Sequence, residues 1–237
     1  MRMVKSDEVI RLENVTKKYM MGDQEIMALD GVDLLICKNE YLSIMGPSGS
    51  GKTTLLDVLS TMMKPTSGDV FIEGVNTTKM SNAQIAAYRG QKIGFIFQTF
   101  NLMPKLTALE NVMVPMWING MPRNLREARA KELLVDLGLA DRLKNRPNQL
   151  SGGQQQRVAI ARALAMDPSI IVADEPTGNL DTKSGDHIME ILEKLHKVEK
   201  RTVIMVTHDR KIGKMADSEI FIKDGKVTKD KKVCALM

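Results

Sequence analysis

The chain has 237 residues, 34 basic and 29 acidic, with 43% apolar and 27% charged side chains, a balance that excludes a mostly disordered protein. The net charge of +5 is modest, and the basic residues are dispersed among acids apart from Lys226, Lys229, Lys231 and Lys232. That run reads as a solvated surface and tail, and nucleic acid is not an expected partner.

The N-terminus, MRMVKSDEVI, lacks the apolar core of a secretory signal. Two cysteines, Cys37 and Cys234, build no disulfide framework, so an intracellular, reduced chain is expected. Short apolar runs such as Val9–Leu12 and Val32–Ile36 predict antiparallel strands, as does Asp69–Glu73 with Val70 and Ile72. Tyr41–Met45, Ile93–Phe97, Ile170–Ala173 and Thr202–Val206 are continuous apolar runs, the pattern of strands covered on both faces in a parallel sheet with helical crossovers. Each ends in a polar or glycine-rich segment. Ligands of open α/β sheets bind beyond the carboxyl ends of the strands, so these segments are expected along one edge. From Gln98 to Leu150 the pattern turns helical. Asn124–Leu137, with Leu125, Ala128, Leu133, Leu134 and Leu137 as its apolar positions and Gly138 as its stop, predicts a helix. About 99–150 is thus expected as a helical subdomain inserted in a core made of about 1–98 and 151–237. Ile220–Lys223, Asp224-Gly225 and Lys226-Val227 predict a hairpin. The longest uncharged stretches, Ile93–Pro104 and Asn111–Pro122, have twelve residues each, too few for the roughly twenty of a membrane span.

Four segments carry chemistry. Gly46-Pro47-Ser48-Gly49-Ser50-Gly51-Lys52-Thr53 has the spacing of a phosphate loop, with a strand before it and a predicted helix, Thr53–Ser60, after it. Its backbone N–H groups and the helix start would cradle phosphate, with Lys52 on the terminal phosphates, the Thr53 hydroxyl on Mg²⁺ and Thr54 beside it. Asp174-Glu175 ends a buried strand, where carboxylates are costly unless they bind something. Beside a phosphate loop, Asp174 would serve Mg²⁺ and Glu175 would orient and deprotonate the attacking water. Ser151-Gly152-Gly153-Gln154 opens a helical stretch as a second anion-binding helix start, more than one nucleotide needs from one chain. Gln98 and His208, each weak alone, fall at strand ends on the expected edge. Tyr19, in a polar segment, has a ring suited to stack on a base, although an ordinary core or surface tyrosine fits its spacing equally well.

Together these residues resemble the nucleotide-binding subunits of ATP-binding cassette (ABC) transporters over nearly the whole chain. GPSGSGKT resembles the Walker A loop, Gln98 the Q-loop, LSGGQ the family signature and IIVADEP the Walker B strand with its glutamate. Asn179-Leu180-Asp181 matches the D-loop and Thr207-His208-Asp209 the switch-histidine segment. FQTFNLMPKLTALENVMVP and DEPTGNLD are similar to the branch of lipoprotein-releasing, macrolide-exporting and cell-division ATPase subunits. The resemblance implies an α/β P-loop NTPase core with a mostly parallel sheet, an N-terminal antiparallel β subdomain and an inserted helical subdomain. It implies an ATPase using ATP and Mg²⁺, with Lys52, Gln98, Glu175 and His208 catalytic and Thr53, Gln98 and Asp174 at the metal. Tyr19, the loop from Gly46 to Thr54, Ser151 to Gln154 and Asp181 would contact nucleotide. Two copies would sandwich two ATP molecules head to tail, accounting for the surplus anion site. A separate membrane permease, docked on the helical block, would hold the protein at the cytoplasmic face.

A cell-division type of force transducer is the nearest alternative reading. A soluble ABC ATPase usually carries coiled-coil insertions or a second cassette, and a GTPase needs N-K-x-D; this chain has none of these. The final Cys234-Ala235-Leu236-Met237 fits a prenylation box, read as coincidence because the resembled branch is prokaryotic.

Overall fold

The computed structural model describes residues 7–230. Its elements run β1 (Glu8–Met21), β2 (Gln24–Cys37), β3 (Tyr41–Met45), α1 (Lys52–Leu59), β4 (Ser67–Ile72), β5 (Val75–Asn76), α2 (Asn82–Lys92) and β6 (Ile93–Ile96). There follow α3 (Ala108–Ile118), α4 (Arg123–Asp136), a 3₁₀ turn (Pro147–Gln149), α5 (Gly152–Leu164), β7 (Ile170–Asp174), α6 (Thr182–Lys197), β8 (Thr202–Val206), α7 (Arg210–Gly213), β9 (Ser218–Lys223) and β10 (Lys226–Asp230). The chain divides into two compact units, Met1–Ala86 with Lys200–Met237, and Ala87–Glu199.

In the first unit, β1 pairs antiparallel with β2 and β4, in the order β2-β1-β4-β5. Ile10 lies opposite both Ile36 and Ile72, and Leu12 opposite Leu34 and Val70. The two-residue period of a strand therefore gathers these apolar side chains on one face, where all are buried. Beside this meander, β3 pairs in parallel with β8 (Ile44 opposite Val206) and with β9 (Leu42 opposite Ser218). Every residue of β3 and β8 is buried, which is why these segments read as unbroken apolar runs. The β9–β10 hairpin turns on Asp224 and Gly225, at φ 49° and 73°, as a two-residue turn with both central residues left-handed requires.

In the second unit, β6 and β7 pair in parallel, Ile96 opposite Ala173. Helix α5 buries Val158 to Ala161, Ala163 and Leu164. It lies so close to β6 that a Cβ on Gly94 would stand 2.5 Å from the Ala163 carbonyl. Helices α3 and α4 fill the stretch expected to be helical. The face α4 buries is Ala130, Leu133 and Leu134, whereas Leu125, counted in its predicted stripe, is 56% exposed. Gly138, at φ 68°, ends it as predicted.

Cys37 closes β2, while Cys234, the other residue on which the expectation of reduced thiols rests, lies outside the described residues. Lys231, Lys232 and the Cys234–Met237 box lie outside the described residues. Among those described, no helix is long and apolar enough to cross a membrane.

Candidate functional site

In the first unit, β3 and β8 run parallel with Ile44 beside Val206, so the loop after Met45 and the segment after Val206 leave the same edge. The loop after β3 turns tightly. Ser50 N–H donates to the Pro47 carbonyl at 3.3 Å, and Leu55 N–H to that of Gly51 at 2.8 Å, starting α1 on Gly51. A Cβ on Gly46 would strike the Ile222 carbonyl, and one on Gly51 the Ala28 carbonyl, so no larger residue fits either position. Gly49 has open space around it, and Ser48 at the tip is exposed. Lys52 folds back, its Nζ donating to the carbonyls of Gly46 at 2.9 Å and Pro47 at 2.7 Å. Ser50 is only 4% exposed, and its Oγ has no hydrogen-bond partner among the described residues. A buried hydroxyl without a partner is costly. Thr53 and Thr54 lie in the first turn of α1.

Tyr19 lies on β1 opposite Ile26, 38% exposed, with its hydroxyl on the Met63 sulfur at 3.0 Å and the Lys17 ammonium 5.5 Å from the ring centre. A partly open ring beside a cation is a platform of the kind a base can stack on. Beyond β8, Thr207 is buried and His208 exposed. Asp209 then caps α7, accepting from Lys211 N–H at 2.7 Å.

In the second unit, the parallel β6 and β7 likewise bring the segment after Ile96 and the turn after Asp174 to one edge. Gln98, Asp174 and Glu175 are half-buried there. Glu175 holds a left-handed φ of 44°, uncommon for a residue with a side chain and typical of functional turns. The Gln98 amide sits against Gly178, where a Cβ would stand 2.7 Å from its Nε2. Asn179 Nδ2 donates to the Gln98 carbonyl at 3.0 Å.

Helix α5 opens with a full capping box. The Ser151 hydroxyl accepts from Gln154 N–H at 3.3 Å, and the Gln154 side chain accepts from Ser151 N–H at 2.9 Å. Gln154 is thereby committed to the cap, while Ser151 is exposed. Gly153 is buried because a Cβ there would meet the Ser184 hydroxyl at 2.8 Å, and a Cβ on Gly152 would lie 3.3 Å from Leu180. Asp181 caps α6, accepting from Ser184 N–H at 3.0 Å and from its hydroxyl at 2.7 Å. These bonds hold its carboxyl below the usual range.

Two further side chains belong to this arrangement and were not picked out from the sequence: Gln156 and Arg162. Gln156 Nε2 donates to the Pro176 carbonyl at 2.6 Å and to that of Phe97 at 3.4 Å. Arg162 donates to the carbonyls of Phe100 at 2.8 Å and Asn101 at 2.5 Å. A polar residue inside the apolar run Val158–Ala165 was the available signal for Arg162.

A family model described as "ABC transporter" matches residues 29–178. The lipoprotein-releasing system ATP-binding protein LolD of Geobacter metallireducens is 42% identical over 94% of this chain and 99% of its own length. The macrolide export ATP-binding/permease protein MacB of Bartonella quintana is 44% identical over 97% of this chain, which spans 35% of that longer protein. The ATP-binding cassette MJ0796 of Methanocaldococcus jannaschii, solved as a dimer in a post-hydrolysis state with ADP and Pi, superimposes with a TM-score of 0.87. It is 47% identical over 96% of this chain and all of that one.

Proposed function

The chain belongs to the ABC transporter family of ATP-binding cassettes, and on that premise we propose that it is the ATP-hydrolysing subunit of a transporter whose membrane-spanning permease is a separate partner. The observation that carries this reading is the loop from Gly46 to Lys52, with two glycines that tolerate no side chain, a Ser50 hydroxyl buried without an acceptor among the described residues, and an ammonium bonded to loop carbonyls.

Lys52 exchanges those carbonyls for phosphate oxygens, while successive N–H groups and the start of α1 supply fixed partial positive charge. Tyr19 stacks on the base. Thr53 carries a hydroxyl and, in the second unit, Gln98 and Asp174 carry an amide and a carboxylate oxygen, each the donor type a hard divalent cation takes, and Mg²⁺ would be the metal they serve. Among the described residues no group of three or more His, Cys, Asp or Glu could hold a metal ion. When bound, Mg²⁺ neutralises charge developing on the phosphate oxygens. Glu175 takes the proton of the attacking water, Gln98 orients that water, and His208 donates to the terminal phosphate.

Ser151, exposed at the start of α5, and Asp181 serve the nucleotide held by a second copy. ATP then joins two protomers because both hold its terminal phosphate, and hydrolysis removes that differential affinity. The helical stretch of about 99–150 receives the permease, which keeps the protein on the cytoplasmic face of the membrane. The test is assembly: with ATP, Glu175→Gln should elute as a dimer and with ADP as a monomer, while the parent hydrolyses ATP only with Mg²⁺. Full turnover by a strictly monomeric preparation would overturn the reading.

A further inference from the structure

Within the second unit, the backbone from Phe97 to Asn101 is held carbonyl by carbonyl. Phe97 O accepts from Gln156, Gln98 O from Asn179, Thr99 O from Asn101 N–H at 2.6 Å, and Phe100 O and Asn101 O from the two arms of Arg162. Phe100 and Asn101 are both left-handed, at φ 58° and 49°. Each costs on the order of 1 kcal/mol and persists only where its surroundings over-determine it. The guanidinium is that determinant, since one planar fork bridges two adjacent carbonyls. Burial pulls its pKa below the ordinary arginine value, so the group is held in the interior by these bonds rather than by solvent.

Both donors, Gln156 and Arg162, stand on α5, whose N-cap is Ser151. Gln156 is fully buried and also grips the carbonyl of Pro176, the residue after Glu175. The Phe100 ring reaches within 3.8 Å of where a Cβ on Gly152 would stand. One helix therefore ties the signature turn at its start to the backbone that carries Gln98 and to the turn that carries Glu175.

We infer that α5 is a strut coupling Ser151 to this chain's own Gln98 and Glu175, with Arg162 and Gln156 as positioning residues that act through those groups without touching nucleotide. Contact of Ser151 with the partner's ATP then sets the geometry of the protomer that donates it. The inference rests on the roles given above to Ser151, Gln98 and Glu175.

The decisive variant is Arg162→Lys, which keeps the charge but replaces the planar two-armed fork, one nitrogen on each carbonyl, by a single ammonium on a shorter stem. The expected result is a kcat reduced about tenfold or more, since small misplacements of a catalytic group are that costly, with ATP affinity and thermal midpoint close to the parent's. A second requirement is non-additivity. Gln98→Ala with Arg162→Lys should be no slower than Gln98→Ala alone, because Arg162 works through Gln98. Should Arg162→Ala fail to fold, the lysine variant and this cycle still decide. A kcat for Arg162→Lys within about twofold of the parent, or losses that multiply in the double variant, would overturn the strut. If Gln98→Ala alone leaves kcat unchanged, the role given to Gln98 has failed, and the strut falls with it.

Discussion

The carbonyl of Glu175 accepts the N–H of Gly178 at 3.0 Å, closing a turn in which Glu175 itself is left-handed. That turn sets the backbone from which the Glu175 side chain leaves, directly after the end of β7. Glu175→Gln preserves the side-chain shape and removes the base. Nucleotide binding should stay within about twofold of the parent, while phosphate release falls by roughly a hundredfold or more. Calorimetry and a phosphate assay check the two halves separately. Turnover at the parent rate would deny Glu175 its role as base.

Lys52 contributes in a different way. Its Nζ already makes two charge-assisted bonds to loop carbonyls, so the loop is pre-shaped around the ammonium before phosphate arrives. Lys52→Ala removes both the shaping and the charge. ATP affinity should drop by about tenfold or more, the equivalent of about 1.4 kcal/mol, with a much smaller change in the thermal midpoint. Affinity near the parent's in titration calorimetry would place the phosphates elsewhere.

How much of this was legible in the sequence follows from which interactions are local. Tyr41–Met45 and Thr202–Val206 were found to the residue because strands buried on both faces leave an unbroken apolar signature. The phosphate loop and the Ser151 cap were legible because glycine spacing and capping chemistry act over a few residues. Leu125 was misplaced because periodicity gives a stripe but not the angle at which it meets its neighbours; α4 turns Leu133 and Leu134 inward and leaves Leu125 out. Arg162 and Gln156 were missed because their partners lie about 60 and 20 residues away; a polar residue in an apolar run marks Arg162 as unusual, but no local pattern says which carbonyls it reaches.

A pH-dependent effect is expected at Glu40. It is 8% exposed; Oε2 accepts from Cys37 N–H at 2.8 Å and Oε1 has no hydrogen-bond partner among the described residues. Burial is the largest influence and raises its pKa, with the Asp217 charge adding in the same direction against the bonds from Cys37 and Ser218. The folded state thus binds this proton more tightly than the unfolded chain. The resulting stability is fully present below the ordinary glutamate range and is lost as pH rises through the folded-state pKa. Glu40→Gln, neutral throughout, should be stabilised relative to the parent at pH 7 to 8, and the gap should close as pH falls toward 4. Urea midpoints at several pH values check it, and a gap independent of pH would show that the charge is not the cause.

Ser151 is assigned two roles that one substitution can separate. As N-cap of α5 its hydroxyl holds Gln154 N–H, so Ser151→Ala should cost about 1 kcal/mol of stability. Aspartate caps at least as well and suits the positive end of the helix, so Ser151→Asp should unfold at or above the parent temperature. The same carboxylate would meet the phosphate of the partner's nucleotide, and like charges at contact repel strongly. Ser151→Asp in the Glu175→Gln background should therefore bind ATP as a monomer and fail to dimerise, whereas Ser151→Ala in that background should dimerise more weakly. Thermal unfolding and gel filtration with ATP read the two roles independently. A stable Ser151→Asp protein that still dimerises with ATP would remove the signature turn from the nucleotide interface and leave it only the cap.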